Sequence, residues 1–182
     1  AIDHWSRLSY PWEVPRPHLE FEVKLGGHTE ASYDESDRFV VRWVPDRVVK
    51  GMACDTPVPG YGVENTNMMR LWQAAATESL DLSAFNKGDY YGAVQQKVAS
   101  ENISKVLYPN DQPEVGKALR LEQQYFLVSC SLQDMIRVYL QRADSLEAFA
   151  DKYAIQLNDT HPVLAIAELM RLFVDVHGMP WD

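Results

Sequence analysis

The sequence predicts an α/β fold in which an antiparallel β region comes first, long helices follow, and a short strand–turn–helix unit comes last. Three observations predict it. Residues 19–25 alternate apolar and polar side chains with a period of two, as in a half-buried strand. Residues 117–142 carry apolar side chains at spacings of three and four, as in a helix with one buried face. Residues 153–162 join a short apolar run to a turn before another helical stretch.

The composition is that of an ordinary globular protein. Of the 182 residues, 46% are hydrophobic and 24% are charged, which argues against a disordered chain. The net charge is −9 and the positive charges are not clustered, which argues against nucleic acid or an anionic membrane surface as a partner. No apolar run reaches membrane-spanning length. Cys54 and Cys130 fit no metal-binding pattern, so we expect two free thiols and a cytoplasmic protein.

The β region covers the first part of the chain. The runs that predict strands are rich in β-branched and aromatic residues: 19–25, 39–44 and 47–54. We expect them to form an antiparallel meander. Residues 55–62 hold two prolines and two glycines, which cannot continue a strand ladder, so we expect a rigid loop there. Residues 68–74 suit either another strand or a helix.

The pattern then becomes helical. Residues 89–105 contain good helix formers and no proline, and residues 108–111 end that helix. We expect Pro113 and Gly116 to keep the next stretch a loop, and a long helix to occupy residues 117–142. One buried stripe is predicted along that helix, made of Leu121, Tyr125, Val128, Leu132, Met135 and Tyr139.

The last part of the chain has the pattern of a strand followed by a helix. Residues 153–157 predict a short strand, and Thr160 is expected to cap the last helix with Pro162 in its first turn. Gly178 is expected to end that helix. Such a strand normally needs parallel neighbours, and the sequence supplies few of them. We therefore expect the chain to be a fragment of a larger domain.

Several runs, in order and over nearly the whole chain, carry a resemblance to a known family. They are YPWE at 10–13, DTPVPGY at 55–61, MRLW at 69–72, ASENISKVLYPND at 99–111, LRL at 119–121 with QYF at 124–126, and AIQLNDTHP at 154–162. Each run alone is moderately informative. Together, and at this spacing, they resemble the α-glucan phosphorylases, the family that acts on glycogen, starch and maltodextrin.

The resemblance implies a two-domain GT-B glycosyltransferase whose Rossmann-like domains face a deep cleft. It implies phosphorolysis of the terminal α-1,4 bond of a glucan, which releases glucose 1-phosphate with retained configuration. By the same resemblance, pyridoxal phosphate sits on a lysine of the C-terminal domain, and its phosphate group relays a proton to the attacking phosphate. The lysines of this chain do not lie in such a motif. We therefore expect the cofactor only in the full-length parent, and we expect the isolated chain to be inactive.

By resemblance, residues 1–182 are an internal part of the N-terminal domain of such an enzyme. Residues 1–83 would be its β-rich region, and residues 84–111 would hold the tower helix and the start of a gate loop. Residues 112–182 would hold the rest of the gate loop, the long helix and the strand–turn–helix unit.

The tower helix of the family packs against its twin in a homodimer. The helix predicted near residues 90–105 has an apolar edge that suits such a contact, made of Tyr90, Tyr91, Val94 and Val98. The plain alternative is an ordinary surface helix. Family members that AMP activates carry an arginine pair on the long helix, whereas here Arg137 is followed by Val138, so we expect no AMP site of that kind.

The resemblance implies catalytic roles for Asp111, Gln112 and Arg120. The first two would lie in a mobile gate, where an acidic residue occupies the phosphate site and yields to an arginine on opening, because a carboxylate repels phosphate. The family often has Asn where this chain has Gln112. The plain alternative is that Asn110 and Asp111 form a turn and cap a helix. Arg120 either lines the catalytic cleft or is an exposed arginine near a helix N-terminus, where the helix dipole disfavours it.

Asp159 and His161 are the predicted substrate-binding residues. They lie between the end of a predicted strand and the start of a helix, where open α/β sheets place ligands. Both side chains form directional hydrogen bonds of the kind that sugar hydroxyls need, and the resemblance places them on the acceptor side of the cleft. The alternative is that Asp159 only caps the helix and that His161 packs. The other histidines show no metal-ligand spacing, so no metal site is expected.

Two other classes of function compete with a phosphorylase fragment. One is a non-catalytic module that binds glucans or dimerises through the tower helix. The other is a glucan synthase or hydrolase with a similar cleft, against which the NDTHP and YPND runs count. Glucan and inorganic phosphate are the partners that the resemblance implies.

Overall fold

The computed structural model describes residues 12–37, 39–78 and 80–181. Its strands are β1 (Val14–Leu25), β2 (His28–Tyr33), β3 (Phe39–Val44), β4 (Arg47–Pro59) and β5 (Thr66–Ala76). Its helices are α1 (Leu82–Asn86), α2 (Tyr90–Lys105), α3 (Glu114–Leu140), α4 (Phe149–Lys152) and α5 (Leu164–Arg171), and a π-helical turn over Leu172–Val176 continues the last of them. The Tyr10-Pro11 half of the first family motif lies outside the described residues.

The strands form two antiparallel units. The larger sheet has the order β1-β4-β5, and β2 and β3 form a separate hairpin. The predicted strands at 19–25, 39–44 and 47–54 are confirmed, but the predicted meander is wrong, because β1 pairs with β4 across the inserted hairpin. Strand β2 was not predicted, since all six of its side chains are exposed and show no alternation in burial.

Strand β4 is longer than predicted. It continues through the expected loop to Pro59, and Pro57 and Pro59 pair with Met68 and Thr66 of β5. Pairing with β1 ends at Asp55, so both prolines lie where β4 has a neighbour on one side only. An edge position tolerates proline because its missing N–H leaves no ladder bond unmade. The open choice for residues 68–74 is resolved as a strand.

Helices α2 and α3 fall close to their predicted positions. Asp89 caps α2 by accepting the Gly92 N–H at 2.8 Å. Helix α3 begins three residues earlier than predicted, and Gly116 lies inside it rather than in a loop. A Cβ at Gly116 would lie 1.6 Å from the carbonyl oxygen of Asn110. Glycine is therefore required because the preceding loop packs against the first turn of the helix.

Helix α3 is the central element of the core. Phe126 and Cys130, near its middle, pack with Val23, Val49 and Trp72 of the sheet. Its second half joins a second cluster with α4 and α5, made of Val128, Leu132, Ile136, Tyr139, Leu146, Phe149, Ala165 and Leu172. The predicted stripe is thus partly wrong. Leu121 is 55% exposed, and Phe126, Cys130 and Ile136 take core positions that the stripe omitted.

The predicted strand over residues 153–157 is absent. These residues belong to neither sheet, and no described strand pairs with them. Thr160 does not cap the last helix, since α5 begins at Leu164 after a turn and has no side-chain cap. Gly178 ends the helical stretch as expected, with φ at +67° in the left-handed region that glycine favours.

Both cysteines are free, as predicted, and both are buried. Burial raises the pKa of the Cys54 and Cys130 thiols. Within the described part of the chain, no helix is both long and apolar enough to cross a membrane.

Candidate functional site

A cleft of about 500 Å³ opens between the end of α2, the loop that follows it, and the first turns of α3. Its floor is apolar and includes Trp72, Ile103 and Phe126. Its polar rim includes Arg120 and His161. A mostly apolar concave surface with a few convergent polar groups is the usual form of a small-molecule site.

The loop over residues 106–113 forms one side of this cleft. Tyr108 has φ at +52° and is 90% exposed. The N–H of Gln112 donates to the Asn110 side-chain oxygen at 3.1 Å, which makes a local Asx turn. The turn expected at Asn110 is therefore present, and it presents Asp111 toward α3.

Asp111 forms an ion pair with Arg120. The Arg120 Nη1 donates to the Asp111 Oδ2. Both side chains are substantially exposed, at 38% for Arg120 and 53% for Asp111. Exposed ion pairs contribute about 1 kcal/mol or less, so this contact opens at little cost.

The same guanidinium reaches a residue far along the chain. Arg120 Nη2 lies 3.5 Å from His161 Nε2, and His161 Nδ1 lies 3.3 Å from Asp159 Oδ2. A guanidinium has only donors, so the ring nitrogen that faces it must accept. This assigns the proton of a neutral His161 to Nδ1, where the Asp159 carboxylate accepts it.

The Asp159 side chain is held by a hydrogen bond from the backbone of the next residue. Asp159 has φ at +67°, a conformation that aspartate tolerates better than most residues, and its Oδ1 accepts the Thr160 N–H at 2.6 Å. That backbone hydrogen bond, with the nearby His161, keeps the pKa of Asp159 below its usual range. Asp159 is thus an ionised acceptor that orients His161, and Thr160 serves this turn rather than a helix cap.

The structure brings four of the five predicted site residues into one row. Asp111, Arg120, His161 and Asp159 follow one another by direct contact, and the middle two line the cleft. Gln112 lies in the same loop, and the contact that the structure gives it is the backbone turn to Asn110. The row alternates acceptor and donor groups, an arrangement suited to binding several hydroxyl groups or an anion.

The described residues offer neither a metal cluster nor a lysine in the cleft. No group of three or more His, Cys, Asp or Glu in the ranges described above could hold a metal ion. No lysine is among the residues that line the cleft. Lys50, Lys105 and Lys117 instead form ion pairs with nearby glutamates. The described lining of this cleft thus offers no amine to which pyridoxal phosphate could be attached.

Sequence reasoning missed a buried polar cluster next to this row. Glu168 of α5 is 2% exposed and accepts hydrogen bonds from Tyr125, Ser129 and Arg171. One sequence signal was present: Glu168 falls at helical spacing between the buried Ala165 and Leu172, on the face that should be apolar.

Comparisons with known proteins agree on one family. The family model for carbohydrate phosphorylases matches residues 1–182. The chain is 55% identical over 180 residues to a glycogen phosphorylase of Synechocystis and 44% identical over 182 residues to one of Chlamydia pneumoniae. It is 46% identical over 188 residues to the muscle form of the human enzyme. These alignments cover 99%, 100% and 99% of this chain but only 21%, 22% and 22% of the relatives, so the chain spans about a fifth of their length.

Proposed function

This chain belongs to the carbohydrate phosphorylase family, and we propose that it is a segment of a cytoplasmic α-1,4-glucan phosphorylase of GT-B architecture. The full enzyme would use inorganic phosphate to release glucose 1-phosphate from glycogen, starch or maltodextrin. This segment would supply the gate loop and the acceptor-side wall of the catalytic cleft. The row of Asp111, Arg120, His161 and Asp159 is the observation that supports this proposal most strongly.

His161 and Asp159 suit the binding of the outgoing glucan. With its proton on Nδ1, His161 presents Nε2 as an acceptor toward the cleft, and Arg120 presents donors beside it. The single lone pair of Nε2 faces the Arg120 guanidinium at 3.5 Å, so a sugar hydroxyl would take the place of this long contact. It would donate to Nε2 and accept from Arg120, because a hydroxyl has one donor and two acceptor positions. Asp159 fixes the imidazole ring through Nδ1, which keeps the acceptor aimed at the substrate.

Asp111 suits the role of a gate. While its carboxylate contacts Arg120, the local charge of the arginine is neutralised and an incoming phosphate meets a carboxylate instead. Moving the loop removes the negative charge of Asp111 and exposes the positive charge of Arg120, and both changes favour the binding of phosphate. The low cost of breaking an exposed ion pair supports a loop that opens and closes during turnover.

Pyridoxal phosphate, where a phosphorylase carries it, supplies the proton relay to the attacking phosphate. The attachment lysine would lie in the part of the parent beyond this chain. The residues described above would contribute substrate orientation and gating.

Helix α2 supports the proposed homodimer contact. Its inner side packs on the sheet through Ile103, and the Ser104 hydroxyl accepts the Ala74 N–H at 3.0 Å. Its outer side carries Tyr91 and Val98, which are 91% and 51% exposed. Large apolar side chains on one outward face suit packing against a second copy of the same helix.

Phosphorolysis by the full-length protein that contains this chain tests the proposal. With maltoheptaose and inorganic phosphate as substrates, we expect glucose 1-phosphate release by the unsubstituted enzyme. Arg120→Ala removes the contacts to Asp111 and His161, so we expect kcat/KM to fall by about tenfold or more.

Arg142→Ala is the matched control. Arg142 is an exposed arginine just beyond the opposite end of α3, so its removal should leave the rate unchanged. An unsubstituted enzyme that releases no glucose 1-phosphate would contradict the proposal, and equal rates for the two arginine variants would contradict the role of Arg120.

A further inference from the structure

Glu168 is a buried carboxylate whose two oxygens are both fully used. Its Oε1 accepts the Ser129 hydroxyl at 2.6 Å and Arg171 Nη2 at 2.9 Å. Its Oε2 accepts the Tyr125 hydroxyl at 2.8 Å and Arg171 Nε at 2.7 Å. Burial opposes ionisation, but the hydrogen bonds from Arg171, Ser129 and Tyr125 outweigh it and hold the pKa of Glu168 below its usual range. The side chain is therefore an ionised link between α5 and α3.

In sequence, the Glu168 cluster lies close to the row of site residues on both segments that form it. Tyr125 is five residues after Arg120 on α3, which is about 7.5 Å of helix rise. Glu168 is seven residues after His161, at the start of the second turn of α5. The same two segments thus meet twice, once at the Arg120–His161 contact and once at the Glu168 cluster.

The hydrogen bonds to Glu168 restrict sliding and rotation of α3 and α5 against each other. Tyr125 and Ser129 are one turn apart, so both side chains face α5. Each hydroxyl donates a hydrogen bond to a different oxygen of the Glu168 carboxylate. The apolar packing between the helices involves Val128, Leu132, Ala165 and Leu172, and such contacts tolerate small displacements. Hydrogen bonds to a charged group do not tolerate such displacements, because a hydrogen bond weakens steeply as it lengthens or bends.

A third element is attached to the same cluster. The Arg171 guanidinium lies 5.6 Å from the ring centre of Trp43 in β3, and the Trp43 and Tyr125 rings meet edge to face. The Trp43 indole N–H donates to the Gly26 carbonyl oxygen at 2.8 Å, which holds the tryptophan to the start of its hairpin. The arginine is therefore in contact with Trp43 as well as with Glu168.

We propose that Glu168 is a positioning residue that holds α3 and α5 in one register and thereby keeps Arg120 and His161 in contact at the cleft. The role in substrate binding rests on the proposed function, whereas the structural effect on the Arg120–His161 contact does not. Replacing a buried ion pair with apolar residues often leaves the free energy of unfolding unchanged. A contribution to stability is therefore not a sufficient reason for a buried, fully hydrogen-bonded carboxylate at this position.

The test removes the hydroxyls and keeps the carboxylate. In the full-length enzyme, Tyr125→Phe combined with Ser129→Ala deletes both bonds from α3 and leaves the Glu168–Arg171 pair intact. Tyr139→Phe is the control, because Tyr139 is a buried tyrosine on the same helix that packs against Phe149 instead. Crystal structures of both variants give the Arg120–His161 distance directly. We expect that distance to lengthen by about 1 Å or more in the double variant, well beyond hydrogen-bond range, and to stay near 3.5 Å in the control.

Kinetics add a readout that a purely structural role would not move. We expect the double variant to raise KM for maltoheptaose about fivefold with kcat changed less than twofold. In a His161→Ala background the same double substitution should raise KM no further, since the contact it acts through is gone. An unchanged Arg120–His161 distance, or fully additive effects on KM, would overturn the proposal. An unsubstituted enzyme without phosphorolysis would instead overturn the proposed function, and the crystallographic distance would still decide this inference.

Discussion

Buried carboxylates, each held by arginine, join the elements of this chain at the residue scale. Asp55 is 3% exposed and accepts hydrogen bonds from Arg70 at 2.6 and 2.9 Å and from Arg16 at 3.0 Å. Arg70 also donates to Asp134 at 2.7 Å. One charged cluster thus ties β1, β4 and β5 to α3, as Glu168 ties α3 to α5.

Acid sensitivity follows from this cluster. The hydrogen bonds from Arg70 lower the pKa of Asp55, against the opposing effect of burial. A carboxyl group whose pKa is lower in the folded state stabilises the fold above its unfolded pKa and loses that contribution as pH falls through the folded value. We expect the midpoint of thermal unfolding to drop as pH falls from about 5 to about 3, and Asp55→Asn to flatten this dependence.

Asp55→Asn should also lower the midpoint at neutral pH. It removes the negative charge and replaces one acceptor oxygen with an NH2 group that faces the arginines, which costs about 2–3 kcal/mol. Asp151→Asn, at an exposed position of α4, is the control and should change neither the midpoint nor its pH dependence. Parallel pH profiles for Asp55→Asn and the unsubstituted protein would contradict this account.

At the element scale, α2 carries the prediction about assembly. Tyr91 and Val98 lie on its outer face, and an aspartate at position 91 falls in the first helical turn, where the dipole favours it. Tyr91→Asp with Val98→Asp should therefore leave the fold intact and weaken the homodimer of the full-length protein by at least about tenfold. Sedimentation velocity measures this.

A matched control uses another exposed tyrosine. Tyr61 lies in the turn between β4 and β5 and is fully exposed, so Tyr61→Asp should leave the sedimentation profile unchanged. A dimer that survives the α2 substitutions undiminished would mean that this helix is a surface helix, the plain alternative weighed for it.

Sequence patterns were most informative for elements that bury one face. The alternation in β1 and the helical spacing in α3 were sufficient to predict these two elements, because each pattern signals a buried side. Strand β2 has no buried side and left no pattern, while residues 153–157 have a strand-like composition without a partner strand. Gly116 was interpreted as a loop signal, and only the packing of Asn110 against it explains its place in a helix.

The candidate site was predictable only in part. The family motifs singled out Asp111, Arg120, Asp159 and His161, but sequence spacing could not predict that residues 41 apart would touch. Glu168 lies in no quoted motif, and its role depends on three partners from α3 and α5. Contacts of this kind depend on how helices pack, which local patterns do not encode.

At the scale of the whole molecule, the charge of this chain bears on the proposed binding of phosphate. The chain carries a net charge of −9, so its overall field repels phosphate. Arg120 is the cation among the residues that line the described cleft. If the parent is a phosphorylase, other segments must supply most of the positive charge that binds phosphate, in keeping with a chain that spans about a fifth of its relatives.

The most direct measurement varies the glucan at saturating phosphate and follows glucose 1-phosphate release by the full-length enzyme. His161→Ala removes the proposed acceptor for a glucan hydroxyl and should raise KM for maltoheptaose about tenfold or more. His177→Ala, at an exposed histidine beyond α5, should leave KM unchanged. A His161→Ala enzyme with the KM of the unsubstituted one, or a full-length protein that forms no glucose 1-phosphate, would contradict the account.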